Sequence, residues 1–586
     1  MQPNQRRLAA ASLFASAAVL CLAHGARAAQ SARDTEESNA LIMTAEIALQ
    51  RDDCGRAAAD YTVAAQRLSD AKLAARAVDV ALDCGQFEVA TRAAARWRVL
   101  VPNEPATLRA LMRADLGLYH IDDARSAFES WLKGGGSASE RAGERAGERG
   151  GARAGNATNA TADAILQVAQ ESGVPATLAM VRGVQAEPLR SAPTQLALAN
   201  LAVDGWNYRE ALQYGQNALS AGAERAPAEV LLARAHAGLG EADQAVAAAS
   251  AARNAAPKEQ SFAPADVLLL LGRERDARVA LEALRDGPLH LQAQRRLGLL
   301  AFNRGDYEEA QRDFAELLND HDSSAIAVYY LAAIADRRSD IATALRGYEL
   351  LGGTALEAAA RDRAATLLYK QGQRDEALQL LQATDSASAT ARVSAEIAQA
   401  QLLSNGGEND QSLARIDDAL ARCPGHPDLL YQRAILLEKA GRTEAAISQL
   451  ERLYHDRPQD GTITNALGFL LADHNRELSR ADRLIEAALK SEPDNPAILD
   501  SLGWVYFRRG MPQQALPLLE RAFRLAQDGD IGAHWGEVLW ALGEKSRARD
   551  AWNRALIADP DNALVRAAQQ RAGVPSMPAT GMGTSI

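Results

Sequence analysis

Aromatic side chains are scarce, at 5% of the 586 residues. Long alternating polar and apolar runs are missing, and so are hairpin signals, which excludes a β-sandwich or barrel. Catalytic signatures are absent as well. The chain has no H-E-x-x-H, no G-x-S-x-G, no Walker A loop, no C-x-x-C pair and no G-x-G-x-x-G. That removes the common zinc, nucleophile, nucleotide and redox motifs. Nine histidines are scattered, and no two stand at i, i+3 or i, i+4, the spacings that put two ligands on one helix face. No metal site and no cofactor are expected. Basic tracts are lacking and the net charge is −11. An acidic chain is a poor match for nucleic acid, where Lys and Arg neutralise phosphates, and for an anionic lipid surface. An enzyme is therefore not expected. An all-helical hydrolase would need carboxylates converging on one cavity, and the sequence gives no sign of them.

What is present begins with an export-like leader. Arg6 and Arg7 precede the apolar stretch Leu8 to Ala23, and Ala26-Arg27-Ala28 follows as an A-x-A cleavage pattern. Residues 1–28 are read as a signal peptide, and the mature chain as periplasmic. Cleavage removes Arg6, Arg7, Arg27 and no acid, taking the net charge from −11 to −14. No later segment is long and apolar enough to span a membrane. A retained anchor and a lipid on Cys21, which would associate the protein with the outer membrane, are the alternatives. Leu20 before Cys21 is a poor lipobox residue. Cys54, Cys84 and Cys423 survive cleavage. An oxidising compartment permits a disulfide, and Cys54 with Cys84 is the expected pair, since both lie near turns on one edge of a repeat array. Two separate thiols are the alternative, and Cys423 is expected unpaired.

That array is the dominant feature. Alanine is abundant, and it favours helix and close packing. Small residues recur every 32 to 35 positions at Ala199, Ala233, Ala265, Gly298, Ala332, Ala365, Ala400, Ala434, Gly468, Gly503 and Gly536. A second small-residue series trails it at Ala211, Ala245, Ala277, Ala310, Ala344, Ala377, Ala446, Ala481, Ala515 and Ala548. Ala45, Val78 and Met112, with Ala57, Ala90 and Ala124, continue both series more loosely toward the N-terminus. Glycines at 240, 305, 372, 441, 510 and 543 fall between the two marks, where a helix would end in the left-handed conformation. A period near 34 with this pattern resembles tetratricopeptide repeats (TPR). The fold class implied is all-α, a right-handed α-solenoid of helix-turn-helix repeats in two sub-arrays, roughly 14 repeats in all. About three repeats are expected over 38–132. A flexible Gly/Arg/Ala/Glu linker covers 133–162. About eleven repeats and one degenerate helical pair cover 163–567, and a disordered tail covers 573–586.

Such arrays present surfaces to partners. In this repeat class the first helix of each pair (helix A) lines the concave face. The register puts Phe469, Trp504, Phe507 and Trp540 there, flanked by Asp473, Asp500, Arg508 and Glu537. Aromatics rimmed by charge commonly mark interaction sites. The competing reading is that these rings fill gaps between helices. Phe302, Tyr329 and Arg295 form a weaker patch in mid-array. The carboxylate clamp of chaperone-binding TPRs is missing, because Asp500 and Trp504 hold those positions, although Asn465 occupies a comparable one.

The segments ALIMTAEIALQRDDCGRAAADYTVAAQ, AARWRVLVPNEP, DNPAILDSLGWVYFRRG and GAHWGEVLWALG resemble exported proteobacterial TPR proteins. That group includes outer-membrane adaptor lipoproteins of carboxy-terminal processing proteases. The resemblance implies a non-enzymatic adaptor in the cell envelope that brings substrates to a periplasmic protease. A scaffold for polysaccharide export or secretion machinery is the rival reading. In either case the partners are proteins.

Overall fold

The computed structural model describes residues 34–102, 104–134, 157–256, 261–382 and 388–574. The expected leader at 1–28, most of the expected linker and the tail from residue 575 lie outside them. Among the described residues the chain is helical and contains no strand. Helices alternate in antiparallel pairs, from 34–50 with Cys54–Arg67 to Gly529–Ala541 with Lys545–Ala558, and Ala563–Arg571 covers the far end.

Local chemistry sets the pair boundaries. Asp side chains open several helices: Asp70, Asp460 and Asp528 each accept from two backbone N–H groups of the first turn. These are donors that have no partner within the helix. Gly240, Gly305, Gly372, Gly441, Gly510 and Gly543 all take positive φ between the paired helices. Asp52, Tyr119, Trp206, Ser339 and Asn475 do the same without being glycine, at a cost of roughly 1 kcal/mol each.

The two small-residue series are the contact line within each pair. All eleven residues of the trailing series from Ala211 to Ala548, with Ser412 included, are fully buried. Ser412 fills the slot the alanine series skips, and its Oγ donates to the Ala400 carbonyl at 2.6 Å. At Gly536 a Cβ would stand 2.1 Å from Trp552 Nε1, so the two helices touch where any side chain would keep them apart.

The break at 135–156 interrupts the sequence but not the packing. The helical pair expected from residue 163 starts at Ala157, and consists of Ala157–Ser172 and Val174–Val181. Arg125 donates to the carbonyls of Ala179 and Met180, and Arg113 pairs with Glu171 at 3.0 Å. The early repeats therefore run directly into the later ones.

The solenoid also closes on itself. The turns inside the early pairs meet the turns between the late pairs along a continuous seam. Gln86 Nε2 donates to the Pro424 carbonyl at 2.8 Å, and Thr390 Oγ1 to that of Asp83 at 3.3 Å. Asp52 pairs with Arg392. Asp494 N donates to the Trp206 carbonyl at 3.0 Å, while its carboxylate accepts from Tyr208 N at 3.1 Å. Arg524 donates to the carbonyls of Ala237 and Leu270. Arg337 reaches the Ala558 carbonyl, and Lys370 reaches Asp561. One apolar core accordingly contains residues 45–235 together with 389–505. The intervening stretch is built on smaller clusters that run from Leu232 to Leu402 and interleave with that core at both ends.

Candidate partner-binding groove

Three consecutive A helices build the C-terminal part of the concave face: Gly461–Asp473, Pro496–Arg508 and Gly529–Ala541. Pro496 at the first helical position and the Asp460, Asn495 and Asp528 caps fix where each starts. Phe469 on the first and His534 on the third have ring centroids 5.8 Å apart. Side chains of first and third helices can meet across the middle one only on the concave side of a curved array.

Of the seven groove residues named from sequence, Phe469, Asp500, Trp504, Phe507 and Arg508 come together here, at different depths. Trp504 and Asp500 are buried, at 5% and 6% exposure, whereas Phe469, Phe507, Arg508, Glu537 and Trp540 are half-buried. Trp504 Nε1 donates to Asp473 at 3.0 Å. Its ring stacks on His534 at 4.1 Å and tilts against Phe507 at 5.3 Å. Arg508 lies over the outer face of the same indole, 5.7 Å from its centroid. Trp504 and Asp500 thus form the floor. Phe469 and Phe507 form the wall. Trp540 sits apart, against Trp552, with Lys545 and Arg549 over it. Glu537 is engaged by Arg571 from the capping helix.

His534 is the site residue that sequence reasoning missed. Its Nδ1 is 3.0 Å from both Asp500 oxygens. Burial disfavours its charge, but the Asp500 carboxylate outweighs burial, with Glu537 and Asp530 adding, and the imidazole pKa is raised above its usual 6.5. The signal was available. The register puts Asp500 and His534 on neighbouring A helices, one residue apart in repeat position. Asn465, at the position equivalent to Asp500 one repeat earlier, has its side-chain oxygen buried with no partner.

The mid-array patch is a packed ring cluster. Tyr329 lies against Tyr330 and Tyr348, and Phe302 against Tyr307 and Tyr330. Glu438, Asp473 and His474 bring ligand atoms within 4.8 Å of one another. Asp473 already accepts from Trp504, and His474 is 3.7 Å from Glu438, so ion pairing and hydrogen bonding account for this group. The expected Cys54–Cys84 bridge is not present: Cys54, Cys84 and Cys423 are all buried thiols.

Among the described residues, the paired helices present an aromatic inner strip of the kind that suits a protein partner. Residues 263–310, 295–351, 397–461 and 467–530 match the tetratricopeptide repeat family model. Those stretches carry tetratricopeptide repeats, a repeat class whose arrays serve as protein–protein interaction scaffolds. Among known proteins it is similar to the TPR repeat-containing protein PA4667 of Pseudomonas aeruginosa, at 32% identity over 211 residues. That match spans 36% of each chain, so about a third of the relative's length is covered. Solved structures it is similar to include yeast Tom70 (14% identity, 71% of this chain and 95% of that one, TM-score 0.32). Another is the APC/C hetero-tetramer Cut9-Hcn1 (15% identity, 84% and 95%, TM-score 0.28). No described helix is long and apolar enough to cross a membrane.

Proposed function

We propose that this protein is an envelope adaptor that holds an extended segment of a client protein in the C-terminal groove, and that it presents clients to a periplasmic processing protease. The observation that carries the binding reading is the groove itself. Phe469 and Phe507 offer half-buried apolar surface beside the indole of Trp504, and an extended peptide can lay apolar side chains against it. The leader-like N-terminus and the resemblance of the first and last repeats to adaptor lipoproteins support the envelope setting and the protease.

The two parts are tested separately. Affinity capture with the full chain from a periplasmic extract should recover a carboxy-terminal processing protease, and capture of none under mild conditions sinks the protease reading. Phe507→Ala should lower affinity for the captured client by about tenfold or more, as loss of an aromatic anchor costs ~2 kcal/mol. Phe507 is half-exposed, so the variant should keep its helical circular dichroism. Unchanged affinity would show that the ring only fills space.

A further inference from the structure

The three cysteines lie at one place on the seam. Cys54 begins the second helix of the first pair, Cys84 ends the first helix of the next, and Cys423 ends a helix about 370 residues downstream. Each is followed by residues shaped for close approach. A Cβ on Gly55 would stand 2.7 Å from Pro424 Cδ, and one on Gly85 would stand 2.5 Å from the His426 ring. Gln86 holds the Pro424 carbonyl, and Asp52 pairs with Arg392. Cys54 and Cys423 both line one cavity of about 230 Å³, together with Arg392, Glu396 and Gln399. Cys423 and Cys84 are both close enough to Cys54 to shift its acidity.

We infer that Cys54 and Cys423 are a disulfide-forming site that staples the first repeat to the late array and locks the superhelical seam. Both thiols are buried and line the same cavity, and side-chain rotation must bring their sulfurs to bonding distance of about 2.05 Å. The oxidant is a disulfide donor, either a small-molecule disulfide such as oxidised glutathione or a protein disulfide. Cys54 thiolate attacks one donor sulfur and releases the other as a thiol. Cys423 thiolate then attacks the Cys54 sulfur of the mixed disulfide and releases the second donor thiol. Two protein thiols and one donor disulfide become one protein disulfide and two donor thiols, with two protons passing to solvent and to the leaving thiolates.

The environment sets when this happens. The Cys423 hydrogen bond pulls the Cys54 pKa down, but the Cys84 bond and burial push it up further, to about 12. Cys423 is raised by its bond to Cys54 and by burial. Neither thiol ionises at neutral pH in the closed fold, so exchange takes place while the seam is forming or open. Once made, the bond is shielded from reductants for the same reason.

The test uses the full chain refolded in a glutathione redox buffer, with a specific protease site inserted within 135–156. Cutting there separates Cys54 and Cys84 from Cys423. The expected result is that the cut chain migrates as one species on a denaturing gel without reductant and as two fragments with it. Cys84→Ser should keep that behaviour and Cys54→Ser should lose it. If the cut wild-type chain separates without reductant, whether its thiols are free or Cys54 is joined to Cys84, the inference is overturned. Peptide mapping of the joined species should give a Cys54–Cys423 cross-link, and an 84–423 cross-link in its place would also overturn it.

Discussion

Single residues in this solenoid are chosen against their local preference where the whole gains from it. Asp52, Tyr119 and Trp206 take positive φ although glycine would do so without strain. All three stand on the seam. Asp52 pairs with Arg392, the Trp206 carbonyl accepts from Asp494, and the phenol of half-buried Tyr119 is pushed upward by desolvation and by the Asp460 and Glu492 carboxylates. His534 is a second case, a titratable ring in a buried place beside the Asp500 carboxylate. Its folded-state pKa lies above its unfolded value, so the folded state binds the proton more tightly. The stabilisation is complete below about pH 6.5 and is lost as pH rises through the raised value. His534→Gln should therefore lower the melting temperature most at pH 5.5 to 6, and the gap to wild type should shrink by pH 9. Parallel melting curves over that range would mean that the ring is neutral throughout.

At the scale of the helix pair, the 34-residue period was legible because each pair repeats one packing problem. A small residue is needed wherever two helices cross, and the sequence marks both crossing points in nearly every repeat. Gly536 gives the limiting case. Alanine there should gain up to ~1 kcal/mol of helix propensity, yet its Cβ would meet Trp552, which is fully buried and donates to the Ala533 carbonyl at 3.2 Å. Overpacking of this kind costs roughly 1–3 kcal/mol, so Gly536→Ala should be net destabilising. Faster amide exchange confined to Gly529–Ala541 and Lys545–Ala558 would report it. Slower exchange would mean that the indole moves aside at no cost. The groove was legible for the same reason as the period, since repeat position names the helix face. Depth was not legible. Whether Trp504 stands out or lies flat depends on Asp473 and His534, each on a different helix, and repeat position does not carry that information.

The whole molecule depends on contacts that no period announces. The paired polar groups of the seam are 191 to 340 residues apart. They lie in turns and at helix ends, whose sequences need only end one helix and start the next, so nothing in the repeat pattern singles them out. Burial separates the seam contacts by strength. Lys370 and Asp561 are largely exposed, and such a pair is worth about 0–1 kcal/mol. Asp494 is different, at 3% exposure. It caps Tyr208 N from the neighbouring turn and pairs with Arg521, and removing it leaves a buried N–H and a guanidinium unpaired, at ~3–5 kcal/mol. Arg524 ties two early helix ends to the late array. Asp494→Ala with Arg524→Ala should therefore open the seam without melting the helices. The radius of gyration from small-angle X-ray scattering should rise while helical circular dichroism stays near wild type, and Lys370→Ala should leave both unchanged. An unchanged scattering curve for the double variant would show that the apolar core shared by residues 45–235 and 389–505 holds the turns together by itself, and that the polar contacts only set their register.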